Sequence, residues 1–295
     1  MNTEGMRNDM KISEIIGQGK PTLSFEVFPP KTDDDYYKVQ EATAKIAKLK
    51  PSFMSVTYGA GGGTSSHTVG IATNLESTYG VTALAHLTCV SSSKEEINYQ
   101  LDRLKNHGIQ NILALRGDMP KDGTRAEEGF RYASELIEAI RGHSDFCIGG
   151  ACYPEGHVES KNRKEDISHL KEKVDAGCEF LTTQMFFDNE VLYRFLYQIR
   201  EKGITVPIVA GIMPVTNSKQ IRRICELSGT YLPTRFKTIV DKFGEDPQAM
   251  KQAGIAYATE QIIDLLANGV DGIHVYSMNK PEVAARIKEN LAGIV

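Results

Sequence analysis

Acidic side chains stand inside otherwise apolar stretches of this sequence. Glu26 lies between Phe25 and Val27 in one such stretch. A carboxyl group among apolar neighbours tends to stay protonated, because loss of water disfavours the carboxylate. Such a group can donate a proton to a substrate, whereas the alternative is an internal ion pair that only stabilises the fold. The position of Glu26 favours the general acid.

A charged motif and an amide follow two other apolar stretches. Arg116 and Asp118 flank Gly117. The arginine could bind phosphate and the carboxylate could accept hydrogen bonds from a heterocycle, although an internal salt bridge would explain the same pair. Gln184 stands in an apolar context, where a neutral amide needs partners. It either contacts the ring of a ligand or caps a buried network.

A glycine-rich segment spans residues 59–64. The G-x-G-x-x-G fingerprint of dinucleotide-binding folds would need glycine where Thr64 stands, and no G-K-[ST] sequence follows. The segment is therefore either a flexible turn or a place where the backbone approaches a ligand closely.

Two histidines and a glutamate, His86, His157 and Glu155, have side chains that could bind a metal ion. Their spacing matches neither H-E-x-x-H nor H-x-x-E, so we expect no metal site. Asp166 and Lys173 are seven residues apart, which places them on one face of a helix about two turns apart. From this spacing alone, a solvated helical face is the favoured interpretation.

Short apolar runs that alternate with amphipathic stretches indicate the elements that position these residues. Gly, Pro, Asn or Asp bounds each run, which is typical of strands. Eight strands, each followed by a helix, predict an α/β fold of the (β/α)8 TIM barrel type, with an open doubly wound sheet as the alternative. The eight runs are residues 22–29, 53–58, 82–90, 111–118, 147–153, 180–187, 207–213 and 272–279.

Polar residues within the runs favour the barrel over the open sheet. Side chains of a strand alternate between two faces, so Ser24 and Glu26 lie opposite Leu23 and Phe25. At least six runs carry a polar group towards their C-terminal ends, although a fully buried parallel strand is normally apolar throughout. This pattern predicts a polar pocket at the C-terminal mouth of a barrel, where barrel enzymes have their active sites.

The longest connection precedes the last strand and leaves room for extra helices. We predict helices over residues 219–227, 233–243 and 248–267. Residues 1–20 are predicted to form an N-terminal extension with a short helix, and residues 21–295 a single catalytic barrel.

Composition and charge exclude several classes of protein. The chain has 295 residues, of which 41% are hydrophobic and 24% charged, as in ordinary globular proteins. A net charge of −4 gives no indication of nucleic-acid binding, and no apolar run approaches the roughly 18 residues of a membrane span. The N-terminus has no secretory signal and the five cysteines are scattered, so we expect a cytoplasmic protein with reduced thiols.

Six motifs together carry a resemblance to a known family. They are SFEVFPPK at 24–31, VTYGAGG at 56–62, LRGD at 115–118, YPEGH at 153–157, TQMFFD at 183–188 and GIMP at 211–214. In this order they closely resemble the bacterial 5,10-methylenetetrahydrofolate reductases. The resemblance implies a (β/α)8 barrel that binds FAD non-covalently, without a Rossmann domain.

The resemblance also implies a reaction and its participants. NAD(P)H reduces the flavin and leaves, after which methylenetetrahydrofolate enters the same space and takes the hydride to become methyltetrahydrofolate. Such a ping-pong flavoenzyme of one-carbon metabolism and methionine biosynthesis would act on small molecules, and we expect it to be a homo-oligomer. The alternatives are another flavin barrel such as proline dehydrogenase, a non-catalytic pterin-binding protein, or a metal-dependent aldolase.

Site residues follow from the family motifs position by position. Glu26 matches the general acid, Asp118 a carboxylate near flavin and folate, and Gln184 an amide that contacts folate and nicotinamide in turn. Gln220 and Lys280 match further substrate contacts. The positions that match flavin contacts are Thr57, Tyr58, Ala60, His86, Arg116, Gly117, Asp118, Tyr132, Ala133, Tyr153, His157, Asp166 and Lys173.

Three residues depart from the family pattern. Lys280 replaces an arginine of some members, which keeps the charge but loses the bidentate fork. Glu172 stands where a basic residue can lie near the FAD phosphates. Ile224 stands where an aromatic side chain can stack on the nicotinamide.

Overall fold

Eight parallel strands form a closed barrel in chain order, which confirms the predicted (β/α)8 fold and excludes the open sheet. The computed structural model describes residues 10–30, 35–58, 65–120, 123 and 125–295. The strands are β1 (Thr22–Val27), β2 (Met54–Val56), β3 (Ala83–Thr88), β4 (Asn111–Leu115), β5 (Cys147–Cys152), β6 (Phe180–Thr183), β7 (Ile208–Ile212) and β8 (Gly272–Tyr276).

Helices surround the barrel, and the three extra helices predicted before the last strand are confirmed as α8, α9 and α10. None of the helices in the described ranges combines the length and apolar composition of a membrane span. The helices are α1 (Ile12–Ile16), α2 (Tyr36–Ala47), α3 (Ser65–Tyr79), α4 (Lys94–Asn106), α5 (Ala133–His143), α6 (Arg163–Asp175), α7 (Asn189–Glu201), α8 (Ser218–Ser228), α9 (Thr234–Phe243), α10 (Pro247–Ala267) and α11 (Pro281–Asn290).

All eight strands are shorter than the apolar runs that predicted them. The first run continues to residue 29 but β1 ends at Val27, and the fourth continues to residue 118 but β4 ends at Leu115. Pro29 and Pro30 have no N–H to donate to a neighbouring strand, so the ladder cannot continue through them. The C-terminal residues of these runs therefore lie in the loops at the barrel mouth.

Alternation along the strands separates two layers of side chains. Leu23, Phe25 and Val27 belong to the large apolar cluster between the barrel and its helices. Ser24 and Glu26 face the barrel interior, since Ser24 pairs with His274 and hydrogen-bonds its ring. The predicted alternation of β1 is confirmed.

The short helix α1 lies at the N-terminal ends of the strands and closes that end of the barrel. Ile12 is fully buried in a cluster with interior residues such as Phe180. The backbone N–H of Ile12 donates to Asn111 Oδ1 at 2.8 Å, at the start of β4. Ser13 Oγ donates to Glu179 next to β6. Access to the interior is therefore from the C-terminal mouth.

The extra helices form a third apolar cluster beside β7, where α10 crosses the chain closely. Gly254 of α10 lies against Val215, and a Cβ atom at position 254 would stand 1.7 Å from the Val215 carbonyl oxygen. Since that obstacle is backbone, it cannot move aside as the end of a flexible side chain could. Gly254 thus permits α10 to pack beside the segment that leads into α8.

We predict that Gly254→Ala destabilises the protein by about 1–3 kcal/mol, the usual cost of overpacking. The matched control is Gly142→Ala in α5, where an added Cβ meets no atom within 4 Å. That change should leave stability unchanged or raise it by up to about 1 kcal/mol, because alanine has the higher helix propensity. Urea denaturation measures both. Equal free energies of unfolding for the two variants would contradict the close packing.

Candidate active site

Glu26 lies inside the barrel near its C-terminal mouth. It pairs with Ser55 of β2 on one side and Tyr276 of β8 on the other. Its Oε2 accepts a hydrogen bond from Ser55 Oγ at 3.5 Å and lies 3.7 Å from His86 Nε2. The side chain is 17% exposed. The carboxyl is therefore withdrawn from bulk water but has polar neighbours.

The predicted apolar surroundings of the Glu26 carboxyl are wrong. Phe25 and Val27 were expected to surround its carboxyl, but they point outward into the layer beneath the helices. The groups that face the carboxyl come from other strands and are Ser55, His86 and His274. Neighbours in sequence are on opposite faces of a strand, so they cannot desolvate one another's side chains.

A chain of hydrogen bonds lies below Glu26 in the barrel. The ring of His274 is held between Ser24 Oγ, 2.7 Å from Nδ1, and Ser55 Oγ, 3.0 Å from Nε2. Ser24 and Ser55 are fully buried, and His274 is 2% exposed. Sequence reasoning missed His274, although it alternates with apolar Ile273 and Val275 in the pattern that revealed Glu26.

His86 is a buried imidazole without a positive charge. Burial lowers its pKa to about 4, although the charge of Glu26 opposes that shift. Its Nε2 has no hydrogen-bond partner among the described residues. A buried ring nitrogen that is unsatisfied in the protein is a place where a bound molecule can gain a hydrogen bond.

Glu26, Asp118 and Gln184 line one cavity of about 300 Å³ at the barrel mouth. The structure thus brings together the three residues that the sequence singled out on separate strands. The backbone N–H of Met185 donates to Gln184 Oε1 at 3.0 Å. Ile224 lines this cavity as well. Sequence reasoning missed the remaining lining residues, which are Met185, Met213, Ser228, Tyr276 and Met278.

A second cavity, of about 550 Å³, lies between the ends of β4 and β5 and the helices α5 and α6. Asp118 lines both cavities, so the two adjoin at this residue. Predicted flavin contacts that line the larger cavity are Arg116, Gly117, Asp118, Tyr132, Ala133, Tyr153, His157, Asp166 and Lys173. Sequence reasoning missed other lining residues, among them Arg125, Ser134, Glu159, Ser160 and His169, while Glu172 lines it too.

Two cations of the larger cavity are fixed by hydrogen bonds. Arg116 forms a bidentate ion pair with Glu159, with Nη1 and Nη2 at 2.5 and 2.7 Å from the carboxylate oxygens. Lys173 Nζ donates to the Ala151 carbonyl oxygen at the end of β5. Burial lowers the pKa of Lys173.

The expectation of a solvated face for Asp166 and Lys173 is wrong. Both side chains line the larger cavity, and Asp166 is only 12% exposed. Asp166 accepts a hydrogen bond from Ser160 Oγ at 3.3 Å. Helical spacing correctly gives the shared face, but it does not show whether that face meets solvent or the adjacent loop.

Aromatic groups complete the larger cavity. The rings of Tyr153 and His157 meet edge to face, with centroids 4.6 Å apart. Burial raises the pKa of Tyr153 to about 12, so its hydroxyl stays protonated at neutral pH. Tyr132 directly precedes α5 and is 56% exposed. An exposed aromatic ring at a cavity edge is suited to stacking on a planar ligand.

Gly117 stands between the two residues that the sequence paired as a binding motif. Its φ of +86° lies in the left-handed region, and an added Cβ would stand 3.0 Å from Thr88 Cβ. Glycine is needed here for the backbone conformation and for packing against β3. The residue thus turns the chain sharply between Arg116 and Asp118.

Several predicted site residues lie away from the lining of either cavity. Thr57 and Tyr58 follow β2, Gln220 is exposed in the first turn of α8, and Lys280 precedes α11. Lys280 Nζ donates to Thr216 Oγ1 at 2.6 Å. Ala60 and the rest of the glycine-rich segment 59–64 lie outside the described residues.

Comparison with known proteins identifies the family. The sequence model of the family described as methylenetetrahydrofolate reductase matches residues 11–292. The chain belongs to the methylenetetrahydrofolate reductase family. This confirms the resemblance carried by the six motifs and disfavours proline dehydrogenase and the aldolases.

Relatives of this reductase family occur in bacteria, yeast and plants. The 5,10-methylenetetrahydrofolate reductase of Pectobacterium carotovorum is 36% identical, covering 93% of this chain and 91% of the relative. That of Escherichia coli is 35% identical, covering 93% and 92%. "Methylenetetrahydrofolate reductase (NADH) 1" of Arabidopsis thaliana is 35% identical over 96% of this chain. The chain spans about half the length of the plant and yeast relatives it matches.

Solved structures of lower identity share the barrel. A protein from Clostridium thermocellum, described as binding two copies of 5-methyl-5,6,7,8-tetrahydrofolic acid, has a TM-score of 0.62 and 16% identity. It covers 95% of this chain, and the chain covers 96% of it. At this level of identity the likeness shows the fold alone.

We predict that His86 makes this reductase-family barrel sensitive to acid. Its pKa of about 4 lies below the ordinary histidine pKa of 6.5, so the unfolded chain binds a proton more readily below pH 6.5. The stability contributed by neutral His86 is present above pH 6.5 and is lost as the pH falls towards 4. Between pH 7 and 5 the free energy of unfolding should fall by about 2 kcal/mol on account of His86.

Urea denaturation at both pH values tests this expectation. His86→Asn should reduce the loss of stability between pH 7 and 5 by about 2 kcal/mol relative to the unchanged protein. His107→Asn removes an exposed imidazole at the end of α4 and serves as the control. Identical pH dependence in the His86 variant and the unchanged protein would show that the buried ring does not exclude a proton.

Proposed function

We propose that this protein reduces 5,10-methylenetetrahydrofolate to 5-methyltetrahydrofolate with NAD(P)H, in a ping-pong reaction through non-covalently bound FAD. The observation that carries the proposal is that Glu26, Asp118 and Gln184 share one cavity. At Asp118 this cavity adjoins a larger one, which is lined in part by basic groups. The family and its bacterial relatives, which match over nearly their full length, support this reaction.

The larger cavity has the chemistry of a FAD site. Its volume of about 550 Å³ is within the usual range of ligand pockets. Arg116, Arg125 and Lys173 are the cations that could contact a diphosphate, although Arg116 is paired with Glu159, and Tyr132 offers a ring face at the edge. The carboxylates in the same lining are Asp118, Glu159, Asp166 and Glu172. His86, a predicted flavin contact, lines neither cavity, and its unsatisfied Nε2 is buried 3.7 Å from Glu26 Oε2. FAD held in the larger cavity would supply the chemistry of hydride transfer between NAD(P)H and the folate.

Glu26 would act as the general acid. Among the described residues, no lysine or arginine forms an ion pair with its carboxyl, whose charged or polar partners are His86, His274 and Ser55. Ser55 and the chain through His274 and Ser24 fix its orientation. From this position a protonated Glu26 donates its proton to a ring nitrogen of the folate and opens the five-membered ring to an iminium ion.

Asp118 and Gln184 would orient the substrates. Because Asp118 lines both cavities, its carboxylate can accept hydrogen bonds from the N–H groups of a pterin while bordering the flavin. Gln184 Oε1 already accepts from Met185 N, so its Nε2 end is the one that folate and nicotinamide would meet in turn. Polar groups that are held in fixed positions around a site closed to water can stabilise charge that develops on a reacting substrate.

Residues at the rim and three departures from the family pattern bear on substrate binding. We assign Gln220 and Lys280 to contacts with substrate projecting from the mouth, where the Lys280–Thr216 hydrogen bond joins the connections after β8 and β7. Thr57 and Tyr58, which follow β2, would complete the flavin site, and Ala60 matches a further flavin contact of the family. Glu172 places a carboxylate in the larger cavity, and Ile224 gives the smaller one an aliphatic wall. Cytoplasmic location and homo-oligomeric assembly stay predictions.

We predict that Glu26→Gln largely abolishes folate reduction. Glutamine keeps the shape of the side chain but cannot donate a carboxylic proton, so ring opening loses its acid. NAD(P)H oxidation by an artificial electron acceptor should continue at nearly the normal rate, because that half-reaction needs no proton from Glu26. Steady-state assays of the two half-reactions with the FAD-reconstituted protein provide the measurement.

Glu138→Gln, on the exposed surface of α5, is the matched control for this substitution and should retain both half-reactions. Equal loss of the two activities in the Glu26 variant would refute its assignment as the acid. Absence of folate reduction by the unchanged, flavin-loaded protein would refute the proposed function itself.

A further inference from the structure

One hydrogen bond joins the turn after β5 to the connection after α8. Glu155 Oε2 accepts from the backbone N–H of Tyr231 at 2.7 Å. We propose that Glu155 is a positioning residue that holds α8 in place as a wall of the reaction cavity. This inference rests on the proposed function, because the substrates concerned are those of that reaction.

The Glu155 end of this contact is firmly fixed. Arg163 of α6 donates from its two terminal nitrogens to the carbonyl oxygens of Tyr153 and Pro154. Its guanidinium also lies over the ring of fully buried Phe195, 4.9 Å from the centroid. The turn that carries Glu155 is therefore anchored to β5, α6 and α7.

The α8 end has weaker support. Of the α8 side chains that the structure describes, Ile221 is the one large apolar group that is fully buried. At the start of α8, Ser218 Oγ donates to the Gly244 carbonyl oxygen, which follows α9. Arg222 pairs with Asp241 on the surface, a kind of ion pair that contributes little to stability. Ile224 and Cys225 are partly buried against the same apolar cluster as Ile221. The hydrogen bond to Tyr231 adds a polar contact just beyond the C-terminal end of α8.

The contact leads directly to the wall of the smaller cavity. Ser228, which lines that cavity, donates to Thr230 Oγ1 at 2.8 Å, and Tyr231 is the next residue. Val158 lies beside Gly229, where an added Cβ would stand 2.8 Å from Val158 Cγ1. The segment after β5 and the connection after α8 thus touch at two adjacent points, Glu155–Tyr231 and Val158–Gly229. No residue of α8 is among those that line the larger cavity within the described part of the chain.

Glu155 is half-buried. Burial raises the pKa of this carboxyl, and the hydrogen bond from Tyr231 lowers it. Arg163, Asp188 and Cys225 are the other titratable groups that face it. Removal of the carboxyl leaves the Tyr231 N–H without this acceptor and frees the 229–233 connection to shift. The substrate cavity then loses a defined wall, while the larger cavity keeps its own.

Kinetics of Glu155→Ala measured beside Glu155→Gln provide the first test. The alanine variant should raise the KM for methylenetetrahydrofolate about tenfold, the size expected for loss of a hydrogen bond to a charged group. Its kcat and the Kd for FAD should change less than about twofold. Glutamine retains an acceptor oxygen and should behave like the unchanged protein. Tyr231→Ala is the matched control, because it keeps the backbone N–H and removes only an exposed side chain.

Hydrogen–deuterium exchange on the same proteins gives a second measurement that does not depend on the reaction. Amides in 218–232 should exchange faster in Glu155→Ala but not in Glu155→Gln or Tyr231→Ala. If the alanine variant does not fold, Tyr231→Pro removes the same donor and should give the same KM increase and the same exchange. Unchanged exchange, an unchanged KM, or a rise in the FAD Kd alone would overturn the proposal. If the unchanged protein has no folate reductase activity, the proposed function is refuted, whereas the exchange data still test the Glu155–Tyr231 contact.

Discussion

A carboxyl group inside a closed barrel requires polar partners, and the upper interior of this barrel is arranged around that requirement. Isolated charge is costly away from water, so Glu26 is met by Ser55, His86 and His274 from three other strands. The parallel register pairs Glu26 with Ser55 and pairs His274 with Ser24, two residues before Glu26 on the same face of β1. The polar interior then opens into a cavity rather than into an apolar core, which leaves space for a substrate beside the carboxyl.

Stability and chemistry are separated along the barrel axis. The N-terminal half is filled by apolar groups such as Phe180 and is closed by Ile12 of α1. The C-terminal half holds the polar network and both cavities. Because α1 closes one end, both cavities lie at the other, and Asp118 is placed where the two cavities meet. A single mouth with adjoining sites suits a reaction in which two substrates use the same flavin in turn.

The fold was predictable because periodicity depends on local residues, whereas the surroundings of the site depend on distant ones. The eight apolar runs and the orientation of Glu26 followed from alternation alone. The polar partners of Glu26 could not be predicted from Phe25 and Val27, since those side chains face the helices. Likewise the partly buried position of Lys173 depends on Ala151 in another element, and the Glu155–Tyr231 contact joins residues 76 positions apart. The family resemblance supplied residue roles that spacing did not.

The central claim is that one mouth serves both substrates through a bound flavin. Anaerobic titration of the FAD-reconstituted protein with each substrate alone tests it most directly. The account predicts that NAD(P)H alone bleaches the visible flavin absorbance, and that methylenetetrahydrofolate alone, added after removal of the nicotinamide, restores it fully. A protein that cannot retain FAD, or one whose absorbance recovers only when both substrates are present together, would contradict it.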